Sequence, residues 1–174
     1  GDPAMIAIRT LAVGTDRSPL TGQPSTSANY VDDDRHVDHL GPLHKYLMAG
    51  PVKVFGLHTG MLLTSVVIIS ACALLSAWAA FRRLGAYAGV VAAVLIGLTM
   101  FTTGASSLMV PLSSNMGGYP LFCAALLLWC VMRGDLRLLP VAAAVTIFAG
   151  QQHLSVVPAV AVLIPLTVGI GAWH

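Results

Sequence analysis

Charge is what this sequence has least of. Only 9% of its 174 residues are Asp, Glu, Lys or Arg, against about 25% in a typical soluble domain. With 56% hydrophobic residues and a mean hydropathy of +0.81, the chain lacks the polar surface that coats a water-soluble globule. An ordinary cytosolic domain and a disordered tail are therefore excluded. So is a nucleic-acid binder, which needs a basic stripe. Nine Lys+Arg against seven Asp+Glu leave +2, too little to imply a polyanionic partner. Cysteine is also scarce. Cys72, Cys123 and Cys130 fall inside apolar runs, where a thiol behaves as a small hydrophobe and builds no disulfide framework. No charged n-region followed by a short apolar stretch marks a signal peptide. The abrupt start at Gly1 and the stop at His174 read as a piece of a longer protein.

The charge that exists is concentrated. Six of the seven acids (Asp2, Asp16, Asp32, Asp33, Asp34, Asp38) precede residue 39, and beyond Lys53 only Arg82, Arg83, Arg133, Asp135 and Arg137 are charged. A polar head, 1–53, thus precedes an almost uncharged body, 54–174. Spanning a bilayer takes about 20 apolar residues, and the body divides into five helices, at 54–81, 84–101, 119–132, 138–150 and 154–173, of which 119–132 is rather short. Gly, Ser, Asn and Pro cluster over 102–118 as loop formers, and Gln151, Gln152 and His153 separate the last two spans. Pro140 suits a first helical turn, whereas Pro158 and Pro165 are expected to kink the last span. The fold class is all-α, a polytopic transmembrane bundle with short juxtamembrane helices in the head.

Sidedness follows from the arginines. Arg82-Arg83 and Arg133/Arg137 occupy alternate loops, and cytoplasmic loops carry the Lys/Arg excess. Residues 1–53, the 102–118 loop and the Gln151–His153 turn then share the extracytoplasmic face of a plasma membrane.

Within the head, Asp2 and Pro3 open a short helix as N-cap and first helical residue. Residues 13–29 read as loop. The run Asp32-Asp33-Asp34 lacks the oxygen spacing and turn glycine of a calcium loop and reads as solvated chain. His36, His39 and His44 match no zinc spacing, so no metal is expected. A second amphipathic stretch opens at His39, with Lys45 and Tyr46 suited to the headgroup zone.

Three stretches go further: GDPAMIAIRTLAVGTDRSPLTG at the start, HLGPLHKYLMAGPVKVFG from His39, and FAGQQHLSVVPAV from Phe148. In this order they resemble the first extracytoplasmic loop and a later outer helix end of multi-spanning glycosyltransferases of the GT-C type, which take sugar from a polyprenyl-phosphate donor. The resemblance implies an inverting transfer to a cell-envelope glycan, lipid or protein, with Asp2 as general base for the acceptor hydroxyl. It implies no cofactor, the lipid-linked sugar being a substrate. The departing phosphate needs cations or N–H donors; Arg9 is the first candidate, with Arg17, His39 and Lys45 as reserves. Gln152 and His153 would line the donor or acceptor cavity, joined by Asn115 from the second outer loop. The chain departs from some relatives in having no acid between Asp38 and Asp135, so a two-carboxylate mechanism is not implied. The isolated stretch is expected to be inactive.

Two other classes fit the composition. A transporter or flippase-like protein would show internal repeats and midplane polar groups, and neither is visible. A non-catalytic membrane scaffold would keep the fold without the chemistry and would tolerate Asp2→Asn.

Overall fold

Single glycines mark several helix boundaries in this chain: Gly56, Gly85 and Gly104 each sit at a helix end. A computed structural model describes residues 2–22, 38–104, 113–153 and 156–173, and among them every regular element is helical. The elements are α1 (Asp2–Leu11), α2 (Leu43–Phe55), α3 (Leu57–Leu84), α4 (Ala86–Thr103), α5 (Ser113–Met132), α6 (Leu139–Gln152) and α7 (Val157–Trp173), with a single 3-10 turn at Leu136–Leu138 before α6. Single glycines, Gly56 and Gly85, separate α2 from α3 and α3 from α4. The expected solvated run Asp32–Asp34, His36, and the centre of the expected 102–118 loop lie outside the described residues.

Two of the helices, α3 and α4, are long and apolar enough to cross a membrane. Of the other three expected spans, α5 has 20 residues beginning with the polar Ser113, Ser114 and Asn115, and α7 has 17. Helix α6 has 14 residues, about 21 Å at 1.5 Å per residue, short of a hydrocarbon core of about 30 Å.

Two apolar clusters hold these helices together. The larger joins Cys72 and Ala79 of α3 to Cys123, Leu127, Leu128, Cys130 and Val131 of α5 and to Ala142 of α6. Its small residues, Cys72, Ala79, Cys123, Cys130 and Ala142, let the helix backbones approach closely. The smaller gathers Ile6 of α1, Met48 and Val52 of α2 and Met61 of α3, and it ties the polar head to the first long helix. Beneath it, Gly60 of α3 lies so close to the backbone of Pro51 and Val52 that a Cβ could not fit. Helix α4 packs on α3 through Gly89, which abuts Phe81, and buries Ile96, while most of its large apolar side chains stay exposed.

Beyond shifts of two or three residues in α3 and α4, three features differ from the sequence reading. Helix α5 starts at Ser113 rather than 119, so Ser114 to Gly118 join the helix. The cause is packing: Met116 is fully buried, and Gly117 backs onto Val156, Gln152 and His153. Helix α6 runs through Gln152 instead of stopping at 150. Pro158 occupies the second position of α7, where its missing N–H is not needed, so it is no interior kink; Pro165 does lie inside the helix.

Candidate functional site

The N-terminus of α2 is a helix start without its own cap. Pro42 precedes it and offers no side-chain acceptor, so the first N–H groups need oxygens from elsewhere. One comes from α6: the Leu43 N–H donates to Gln151 Oε1 at 3.3 Å. Room for that amide exists because Gly41 has no side chain; a Cβ there would overlap the Gln151 carboxamide. Beside this contact the His39 and His153 rings meet at 4.9 Å between centroids, tilted by 42°. The 38–43 stretch and the end of α6, more than 100 residues apart in sequence, are thereby fastened together.

The loop after α1 is stitched onto the same place. Arg9 donates to the Gly22 carbonyl and lies 4.0 Å from the Asp38 carboxylate. Thr21 Oγ1 donates to Asp38 Oδ2 at 2.7 Å, and the Gly22 N–H donates to the His39 carbonyl at 2.8 Å. Further along α2, Tyr46 Oη donates to the Pro19 carbonyl and Lys53 Nζ to that of Val13, each at 3.3 Å.

Burial sets the protonation of two neighbours. His44 is buried with its ring edge-on to Phe148, 6.1 Å between centroids, and its Nε2 has no hydrogen-bond partner among the described residues. Desolvation, helped by the adjacent Lys45 charge, lowers its pKa to about 3, so His44 is a neutral imidazole at physiological pH. Lys45 is lowered to about 8 by burial and by the Arg9 charge, against the opposing pull of Asp38. It remains mostly an ammonium at neutral pH. Arg9 and Lys45 thus share one carboxylate, with the His39/His153 pair beside it on the adjoining stretch. Such a setting suits an anionic oxygen that needs donors more than it suits a cation. Among the described residues no group of three His, Cys, Asp or Glu side chains is placed to hold a metal.

The sequence-derived candidates divide accordingly. Arg9, His39 and His153 meet at this end of the molecule, Arg9 through Asp38 and the two histidines through their rings. Gln152 does not reach across: it is buried, and its Nε2 donates to the Phe148 carbonyl of its own helix. Gln151 makes the cross-contact instead. Asp2 opens α1 and Asn115 sits in the first turn of α5, but both side chains lie outside the described residues. The start of α5 reaches the same end, since Gly117 abuts Gln152 and His153. Sequence reasoning did not single out Gln151 or Asp38, and it weighed His44 only as a zinc ligand. A helix start with proline at its cap position and no Ser, Thr, Asp or Asn was the available signal that an outside acceptor was required.

Comparison with known proteins gives no further support: no family model, no curated protein and no solved structure matches the chain.

Proposed function

We propose that this chain belongs to a polytopic membrane glycosyltransferase that moves a sugar from a polyprenyl-phosphate donor to an extracytoplasmic acceptor. The observation that carries this reading is the contact between the H-L-G-P-L stretch, His39 to Leu43, and the Gln151-x-His153 element. These are two of the three stretches that resemble the GT-C enzymes. The third, opening at Asp2, is bound to them through Arg9, Gly22 and Asp38.

Membrane embedding is supported by α4. Only 6% of its apolar window is buried, against 39% for α3. In water that surface would be a large exposed apolar patch; in lipid it is the ordinary outer face of a span. Helix α5, packed on α3, would carry α6 and α7 and complete a bundle. All charges beyond Lys53 collect at the other end of α3, where Arg82 and Arg83 pair with Asp135. By the positive-inside rule that end is cytoplasmic, and the site lies on the outer face.

In this mechanism the Asp2 carboxylate takes the proton of the acceptor hydroxyl as its oxygen bonds to the anomeric carbon. The bond from that carbon to the phosphate oxygen breaks with inversion, and polyprenyl phosphate leaves with the electron pair. Arg9 and Lys45 would offset the growing negative charge, and His39 or His153 would donate to the phosphate oxygens. The test uses membranes carrying the full-length gene product, supplied with labelled polyprenyl-phosphate sugars. Asp2→Asn is expected to slow loss of label by about 100-fold or more, the scale of a lost general base. Equal consumption by wild type and Asp2→Asn would remove Asp2 from the mechanism. A protein that consumes no donor from a full panel would fit the non-catalytic scaffold.

A further inference from the structure

The opposite end of the bundle carries charge that the proposed reaction does not use. Helix α5 ends in a Schellman turn: the Gly134 N–H donates to the Val131 carbonyl at 2.9 Å and the Asp135 N–H to that of Cys130 at 3.1 Å. Gly134 makes this turn with φ +91°, a conformation glycine adopts without strain. The turn aims Asp135 back at α3, where its carboxylate lies 3.0 Å from Arg82 and 3.5 Å from Arg83. Arg82 also stacks over Trp78 at 5.3 Å, and Arg83 donates to the Cys130 carbonyl at 3.1 Å.

Asp135 is the sole acid after Asp38, and Arg82 and Arg83 use it up. Arg133 and Arg137, on either side of it, are exposed, and no ion pair among the described residues reaches them. Exposed apolar side chains lie in the same turn, Leu136 and Leu139, and at the α3–α4 junction whose arginines Asp135 holds, Phe81, Leu84 and Tyr87. Two uncompensated guanidinium groups at an end that also exposes apolar and aromatic side chains are complementary to a lipid surface bearing net negative charge. A zwitterionic headgroup carries its own ammonium beside the phosphate and offers no such net attraction.

We propose that this end of the molecule is a docking surface for anionic phospholipid headgroups, with Arg133 and Arg137 binding the lipid phosphate. The inference rests on the membrane reading above, although not on the sugar transfer. Trp78 supplies the probe. In a Trp129→Phe, Trp173→Phe background it is the one remaining tryptophan of three, and it lies beside Arg82. The full chain is reconstituted in phosphatidylcholine vesicles doped with either brominated phosphatidylglycerol or brominated phosphatidylcholine at equal bromine content. Phosphatidylglycerol is expected to associate about five-fold more strongly near Trp78 at low ionic strength, and the preference should shrink at high salt. Arg133→Gln with Arg137→Gln should abolish the preference while leaving quenching by phosphatidylcholine intact. Equal quenching by the two lipids, or a preference that survives both substitutions, would overturn the proposal and leave the membrane reading standing. No quenching by either lipid would overturn both.

Discussion

At the residue scale, His44 and Gly60 show how the head is held on the bundle. His44 occupies a site that excludes charge: the folded chain takes up its proton only near pH 3, whereas the unfolded chain does so near 6.5. Between those values the unfolded state binds the extra proton. The stabilisation is therefore complete above about pH 6.5 and is lost as the pH falls toward 3, at up to about 1.4 kcal/mol per pH unit. Thermal unfolding in detergent micelles should register about 2 kcal/mol less stability at pH 5 than at pH 7.5 from this group. His44→Leu should flatten that part of the profile; an unchanged slope would mean that His44 is protonated in the fold. Gly60 acts by shape, because its missing side chain lets α3 touch the backbone of Pro51 and Val52. Gly60→Ala must push the helices apart, at about 1–3 kcal/mol, readable as a lower melting temperature. No change would show that α2 does not sit against α3.

At the scale of the element, the turn between α5 and α6 decides how α3 is pinned. Asp135 is buried beneath two guanidinium groups, although Arg82 is 46% exposed, so part of its pairing energy is screened by solvent. Asp135→Asn removes the charge and leaves Arg83 partly buried beside the Cys130 carbonyl. The expected loss is about 1–3 kcal/mol, below the range for a fully buried pair, and a denaturant titration measures it. A neutral result would place the clamp among surface ion pairs that contribute little. Element boundaries show what hydropathy conveys and what it misses. The apolar runs located α3 and α4 within three residues, because a long apolar helix leaves an uninterrupted uncharged stretch in the sequence. The early start of α5 was hidden, since Ser, Asn and Gly are poor helix formers and only the burial of Met116 and the close approach of Gly117 keep them helical.

At the scale of the whole molecule, charge and polar groups separate to opposite ends of α3. If the chain spans a membrane in the proposed orientation, single cysteines report it through reaction with a membrane-impermeant maleimide in intact cells. Leu40→Cys, exposed in the head, should label directly. Leu136→Cys, exposed at the arginine end, should label only after permeabilisation. Val94→Cys, on the uncovered face of α4, should resist labelling in both. Reversed labelling of the first two would invert the orientation and move the candidate site to the cytoplasm, whereas ready labelling of Val94→Cys would argue against embedding of α4.

The sequence alone determined the helical class, the two helices long and apolar enough to cross a membrane, and the division into polar head and apolar body. Those properties follow from composition and the length of uncharged runs, which act locally. The tertiary structure decided which polar residues meet. Gln151 and Gln152 are chemically identical neighbours, yet successive helical residues point about 100° apart. One therefore caps α2 and the other turns back on its own helix. The closeness of His39 to His153, and of Asp135 to the arginine pair, likewise depends on packing between distant segments, which no local pattern encodes.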